Sequence, residues 1–277
     1  MFDASSLRRS DVRARHGLTV SRLPLPESSA GLLAASIDEL WDELHGCGPL
    51  IVQVRHRYAR LIARRELPML AERDEAAGLC CRPDLFAYPV LRRCSCPRCV
   101  CLPSLRIHDE TAGECLQVCA PPGFSAARWE RLNRFFEPVN LDSLGLDESG
   151  GNRLRRLPTG PLARLPGNAL FAFFGRLLRA GEAARATLRT PAATLTHDIL
   201  PQRFFVEQNV LTLGDDHSTL QVALPGLHGV MLHVGDEGGA ARLHLAGPDG
   251  TSLLTLAPAG GRVGGLLWRD WLAELAE

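Results

Sequence analysis

The chain contains no lysine. All 31 basic residues are arginine, and 31 acidic residues balance them to a formal net charge of zero. That balance excludes a molecule held to nucleic acid by its overall charge. Local arginine clusters remain available, and arginine's planar fork suits carboxylates and phosphates, so the bias is compatible with an acidic ligand. No apolar stretch approaches the ~20 residues that span a bilayer. The opening Met1-Phe2-Asp3-Ala4-Ser5-Ser6 lacks the basic segment and apolar run of a secretory signal. Cysteine is absent after Cys119: all nine lie between Cys47 and Cys119. An odd number of thiols without an export signal implies reduced cysteines rather than a disulfide framework. The expected setting is therefore cytoplasmic, with no membrane insertion and no nucleic-acid partner. There is no Gly-rich phosphate loop, nucleophile elbow or zinc-protease helix, so no catalytic residue is assigned.

The apolar fraction of 45% is that of a globular protein. Leu33, Ile37, Leu40, Trp41 and Leu44 recur at helical spacing over residues 31–45, with Gly46 as a stop. Strand-like segments follow at Leu50 to Val54, Tyr58 to Ile62, Leu85 to Leu91, Ser104 to Ile107 and Cys115 to Cys119. Ser125 reads as the N-cap of a helix bearing Trp129, Leu132, Phe135 and Phe136. Residues 138–167 are rich in Gly, Pro, Asp and Arg and read as a linker. A helix from about Ala169 to Arg179 ends at Gly181. Further strands are expected at Phe204 to Val206, Val210 to Leu213, Thr219 to Leu224, Val230 to Val234, Arg242 to Leu245 and Leu253 to Leu256, then a helix with Leu267, Trp268, Trp271, Leu272 and Leu275. Pro248-Asp249-Gly250 is a hairpin turn signal.

The two ends superpose in register. Leu105, Ile107, Leu116 and Val118 match Leu243, Leu245, Leu254 and Leu256 at one constant offset, and Trp129 and Leu132 match Trp268 and Trp271 one residue further on. Both copies read strand, turn, strand, Pro/Gly loop and helix, the mark of a tandem duplication. The expected fold class is α+β: two tandem structural repeats, 1–140 (cysteine-rich) and 141–277, each a mostly antiparallel β-sheet with packed helices.

Four cysteines form one knot, Cys94, Cys96, Cys99 and Cys101. Cys96-Pro97-Arg98-Cys99 has metal-knuckle spacing, and a hairpin through Pro97-Arg98 would put all four thiols on one face, within reach of a zinc ion. A flat face gives a tetrahedron poorly, so Cys80-Cys81 or Cys115/Cys119 could supply a second pair. Buried cysteines acting as small apolar residues are the plainer alternative. Redox chemistry, or haem ligation by the Cys96-Pro97 thiolate, is a third.

The repeated unit resembles the haem-utilisation proteins of the HemS/ChuX type. The residues that carry the likeness are Ser104-Leu105-Arg106-Ile107-His108-Asp109 with Gly113, then Leu116 to Cys119. In the second copy they are Arg242-Leu243-His244-Leu245 with Asp249-Gly250, and Leu211-Thr212-Leu213 paired with Leu220-Gln221-Val222. Ala169 to Gly181 is similar to the family's inter-repeat helix. The resemblance implies a cytoplasmic haem-binding, trafficking or degradation factor in iron acquisition. Degradation would use the bound haem and an external reductant, with a redox or haem-degrading partner protein. Two positions depart from the family: Phe171 stands where it has the axial histidine before Phe173-Phe174, and Ala223 stands near a haem-holding arginine. Phenylalanine cannot ligate iron, so a divergent paralogue is implied.

Other ligands must then be sought. His197, in Leu195-Thr196-His197-Asp198, lies near the implied pocket between helix and sheet, with Asp198 placed to orient it. His217 reads as a turn residue, and His228, His233 and His244 as sheet-face residues. Arg153, Arg155, Arg156 and Arg164 could clamp haem propionates or line a solvated loop. The rival reading is a non-catalytic, cysteine-rich zinc-binding or redox-responsive interaction protein.

Overall fold

The structure, a computed structural model, describes residues 30–69, 78–93, 103–125, 127, 130–140, 144–146, 150, 155–158, 162–234, 241–259, 268 and 270–274. The first half runs β1 (Ala30–Leu33), α1 (Ile37–His45), β2 (Leu50–His56), β3 (Ala59–Arg65), β4 (Leu79–Cys81), β5 (Tyr88–Arg93), β6 (Pro103–His108), β7 (Glu114–Cys119) and β8 (Phe136–Val139). The second runs β9 (Arg155–Arg156), β10 (Leu162–Leu165), α2 (Ala169–Ala180), β11 (Ala184–Arg189), β12 (Ala193–Ile199), β13 (Arg203–Glu207), β14 (Val210–Gly214), β15 (Ser218–Ala223), β16 (Gly229–His233), β17 (Arg242–Ala246) and β18 (Thr251–Pro258). A helical segment follows at 268 and 270–274.

Local chemistry sets the helix ends. The Ser36 hydroxyl accepts from the Glu39 backbone N–H at 3.2 Å, acidic Asp38 and Glu39 occupy the first turn of α1, and His45 the last. Leu33 therefore does not belong to this helix. It ends β1, because the chain must be extended before its N-cap. Gly181 closes α2 at φ 64°, a left-handed conformation that costs glycine little. The helix expected after Ser125 is cut short. Arg131–Phe135 is a 3₁₀ turn, and Phe136 opens β8, whose pairing with β1 satisfies the backbone instead. Residues 138–167 hold more order than a linker: β9 pairs with β18, and β10 with β16.

Two antiparallel sheets result. Sheet A has the order β13-β14-β15-β3-β2-β7-β6-β5-β1-β8, and sheet B the order β10-β16-β17-β18-β11-β12-β4. Read from β15 to β1 in A and from β4 to β10 in B, the two series are the same: β15-β3-β2-β7-β6-β5-β1 and β4-β12-β11-β18-β17-β16-β10. The closing hairpins agree residue for residue. Leu105 faces Val118 as Leu243 faces Leu256, and each first strand shifts register one residue after Ile107 or Leu245. The molecule thus holds two structural repeats, and each sheet is completed from the other half: β15, with β14 and β13 beyond it, joins sheet A through β3, and β4 joins sheet B through β12.

The sheets lie against each other where β2 and β3 meet β11 and β12. Small inner residues permit this approach, among them Ala59, Ala63, Ala184 and Ala186, all buried. One buried cluster joins both sheets, Trp41 and Leu44 of α1, Phe173, Phe174 and Leu177 of α2, and Trp268. His56, at the end of β2, bonds through Nε2 to the Leu253 carbonyl of β18 at 2.8 Å and so ties one sheet to the other.

Candidate functional site

The inter-repeat helix α2 turns one face inward and leaves part of another bare. Phe173 and Phe174 are fully buried; Phe173 meets Trp268 edge-on at 4.6 Å, and Phe174 meets Phe204 of β13 at 5.5 Å. Phe171, one turn earlier, is 38% exposed and tilts against Phe204 at 6.3 Å. Val206, on the Phe204 face of β13, is also exposed, as are Leu200 before the strand and Phe205 on its other face. Large aromatics left in water beside a helix form an apolar surface of the kind that takes a flat ligand. Position 171 offers that surface no metal-binding atom.

His197 lies within β12, not between helix and sheet. Its cross-strand partner is Ala186, on the inner face of sheet B. Burial draws its pKa below the ordinary histidine value; Asp215 opposes the shift and Arg65 adds to it. The ring is therefore neutral at pH 7, as a metal ligand must be. Asp198 does not orient it. Alternation places Asp198 on the opposite face, where Arg185 holds its carboxylate through two bonds of 2.7 and 2.9 Å. The surroundings of His197 come from sheet A. Arg65, at the end of β3, donates to the Thr196 carbonyl at 3.1 Å, and Asp215 organises the β14–β15 turn by accepting from the backbone N–H groups of His217 and Ser218. His217 is a turn residue, as its sequence suggests.

Two of the arginines read as propionate partners stand on different strands. Arg156 is exposed in β9 opposite Thr251, and Arg164 donates to the His228 carbonyl at 3.1 Å. Thr251 precedes Leu256, the cross-strand partner of Ala186, by five residues on β18, so Arg156 stands roughly 16 Å along the sheet from the His197 row. Arg153 and the knot Cys94, Cys96, Cys99 and Cys101 lie outside the described residues. The cysteines of the pairs that could complete a zinc site form no disulfide. Burial pushes Cys81 and Cys115 well above the ordinary thiol pKa, each disfavoured further by nearby thiol or carboxylate groups. Cys115 donates to the Ile107 carbonyl at 3.2 Å. Among the described residues no three His, Cys, Asp or Glu side chains are placed to hold a metal ion. These cysteines behave as small apolar residues.

Two polar arrangements escape periodicity arguments. On sheet A, buried Glu114 lies 3.4 Å from Arg55 and 3.3 Å from Arg106. Gln53 donates to Gln117 at 3.1 Å, and Arg60 donates to Gln221. On sheet B, His244 contacts Thr255 Oγ1 at 3.2 Å through Nδ1 and meets His233 ring to ring at 6.0 Å. Burial, with His233 and Arg242 nearby, lowers the pKa of His244 to about 4. The signal for both was the polar alternate of each strand, which a search for apolar repeats passes over.

No protein-family model matches the chain, and no curated protein matches its sequence. Solved structures do match. ChuS, an Escherichia coli haem oxygenase, superposes with a TM-score of 0.70 at 14% identity, covering 89% of this chain and 89% of its own. Holo-PhuS, a haem-binding protein from Pseudomonas aeruginosa, superposes with a TM-score of 0.66 at 13% identity over 94% of each chain. The chain has the ChuS fold. At such identities the likeness is one of architecture, and it agrees with the resemblance read from the duplicated strands. The two residues read from the sequence as departures lie apart: Phe171 on the bare face of α2, and Ala223 at the end of β15, where its N–H donates to the Tyr58 carbonyl at 2.8 Å. No helix among the described residues is long and apolar enough to cross a membrane.

Proposed function

We propose that this protein binds haem or a closely related tetrapyrrole and serves bacterial haem utilisation as a cytoplasmic carrier or degradation factor. The observation that carries this reading is coverage: 94% of the chain takes the arrangement of 94% of holo-PhuS, both repeats included. The bare aromatic face of α2 and β13 fits the apolar macrocycle, which Phe171 and Phe204 would flank. The five described cysteines are thiols rather than disulfides, which suits a reducing compartment. Bound haem would itself supply any oxidative chemistry, with electrons from an external reductant or redox partner. The chain's own part is to hold and orient it.

With Phe171 at the usual axial position, the iron ligand must come from elsewhere. His197 is our candidate, since its ring is neutral at pH 7; Cys96 is the second, and Arg153 and Arg156 are the propionate partners. Titration with haemin tests the reading. A saturable Soret band at one haemin per chain is expected, with His197→Ala or Cys96→Ala changing its position according to which atom binds iron. No Soret change, together with about one zinc per chain in the untreated protein, would refute haem binding and favour the cysteine-rich zinc alternative.

A further inference from the structure

Among the described residues each sheet path ends in two edge strands, and three of the four are guarded. β8 carries Glu137 and Pro138. β10 is four residues long and runs into Pro166. β4 is three residues long, with Pro83 two positions on. Prolines, charges and shortness are the usual means of stopping edge-to-edge pairing. β13 is the longest of the four, and although Pro201 lies two positions before it and charges stand at its ends, its middle is apolar. It presents Phe205 at 44% and Val206 at 43% exposure, next to Leu200 at 47%.

Among the described residues, nothing pairs with its outer ladder. Gln208 and Asn209, at φ 50° and 62°, form the two-residue turn to β14, with Glu207 opposite Val210. Such a turn closes on a hydrogen-bonded pair, so Glu207, Phe205 and Arg203 bond inward to Val210, Thr212 and Gly214. The N–H and C=O groups of Phe204 and Val206 then face outward.

The sequence of β13, Arg-Phe-Phe-Val-Glu, is complementary to itself when reversed. We propose that β13 is the contact through which two copies of this chain pair antiparallel, extending sheet A across a two-fold axis at Phe205. In that register Phe204 of each copy exchanges both ladder bonds with Val206 of the other. Arg203 faces Glu207 of the second copy, and the two Phe205 rings meet at the axis. Arg203 is already fixed on the Phe205 face, where one terminal nitrogen donates to the Asp215 carbonyl at 2.9 Å and to Thr219 at 3.3 Å. Its other N–H groups remain for the carboxylate. Opposite charge at both ends and an apolar centre select a second copy over an unrelated strand. So short a contact is far below the ~1,600 Å² of a standard interface, so the dimer is weak and depends on concentration.

Sedimentation velocity of the full chain, from micromolar to near-millimolar concentration, tests this. Wild type is expected to rise from monomer towards twice the monomer mass. Val206→Pro removes an outward N–H without touching the bonds to β14, and should weaken dimerisation at least tenfold while leaving the circular dichroism and melting curve unchanged. Glu207→Arg sets arginine against Arg203 and should do the same, which keeps the test valid where proline disturbs the hairpin. A wild type monomeric throughout, or both variants dimerising as wild type does, overturns the proposal.

Discussion

His56→Gln probes the tie between the two sheets. His56 is 2% exposed; its Nε2–H donates to the Leu253 carbonyl, and its Nδ1 accepts from the Tyr58 N–H at 3.2 Å. Burial lowers its pKa from 6.5 to about 4, the Leu253 bond opposes the shift, and Arg55 adds to it. Between those values the unfolded chain binds a proton that the folded chain does not, so stability rises with pH across the window and falls as the solution is acidified. At ~1.36 kcal/mol per pH unit of differential binding, taking the protein from pH 7 to pH 5 costs about 2 kcal/mol through this one ring. Glutamine keeps a donor for Leu253 but does not titrate. At pH 7 the variant should lose about 1 kcal/mol, for the Tyr58 bond and altered packing. At pH 5 it should equal or exceed wild type. Urea unfolding at the two pH values measures this directly. His244, with a similarly lowered pKa, contributes acid sensitivity to both proteins and cancels in the comparison. Parallel losses in wild type and variant would show that His56 is not held neutral, and the account of the junction would fail.

Two other outcomes are expected. Glu114→Ala removes the carboxylate beside buried Arg106 and should cost roughly 3–5 kcal/mol in urea unfolding, while Arg106→Met with Glu114→Leu should cost far less because both charges leave together; a single-variant loss under about 1 kcal/mol would contradict this. Phe171→His places an imidazole on the exposed face of α2 and should bind haemin at least tenfold more tightly, with a shifted Soret band. An unchanged titration would mean that this face does not meet haem.

What the sequence determined by itself was the repeat and its faces. The constant offset from Leu105 to Leu243 survives as identical strand register, because each closing hairpin is local and its apolar alternates must point inward. The helix Ala169–Ala180 was equally legible, from its apolar spacing and the glycine that follows. β11 and β12 were not, because their inner positions include Ala184, Ala186 and Ala193, too small to register as an apolar stripe yet needed where two sheets press together. Nor could Phe136 be separated from the preceding turn, since its strand partner lies about a hundred residues away in β1. Only the tertiary structure decided which sheet each strand joins. Alternation marks a strand's buried side but says nothing of its neighbour, so the exchange of β4 and β15 between the halves rests on pairings between distant segments. The same exchange brings Arg65 and Asp215 of sheet A to His197 of sheet B, surroundings that no spacing along the chain encodes.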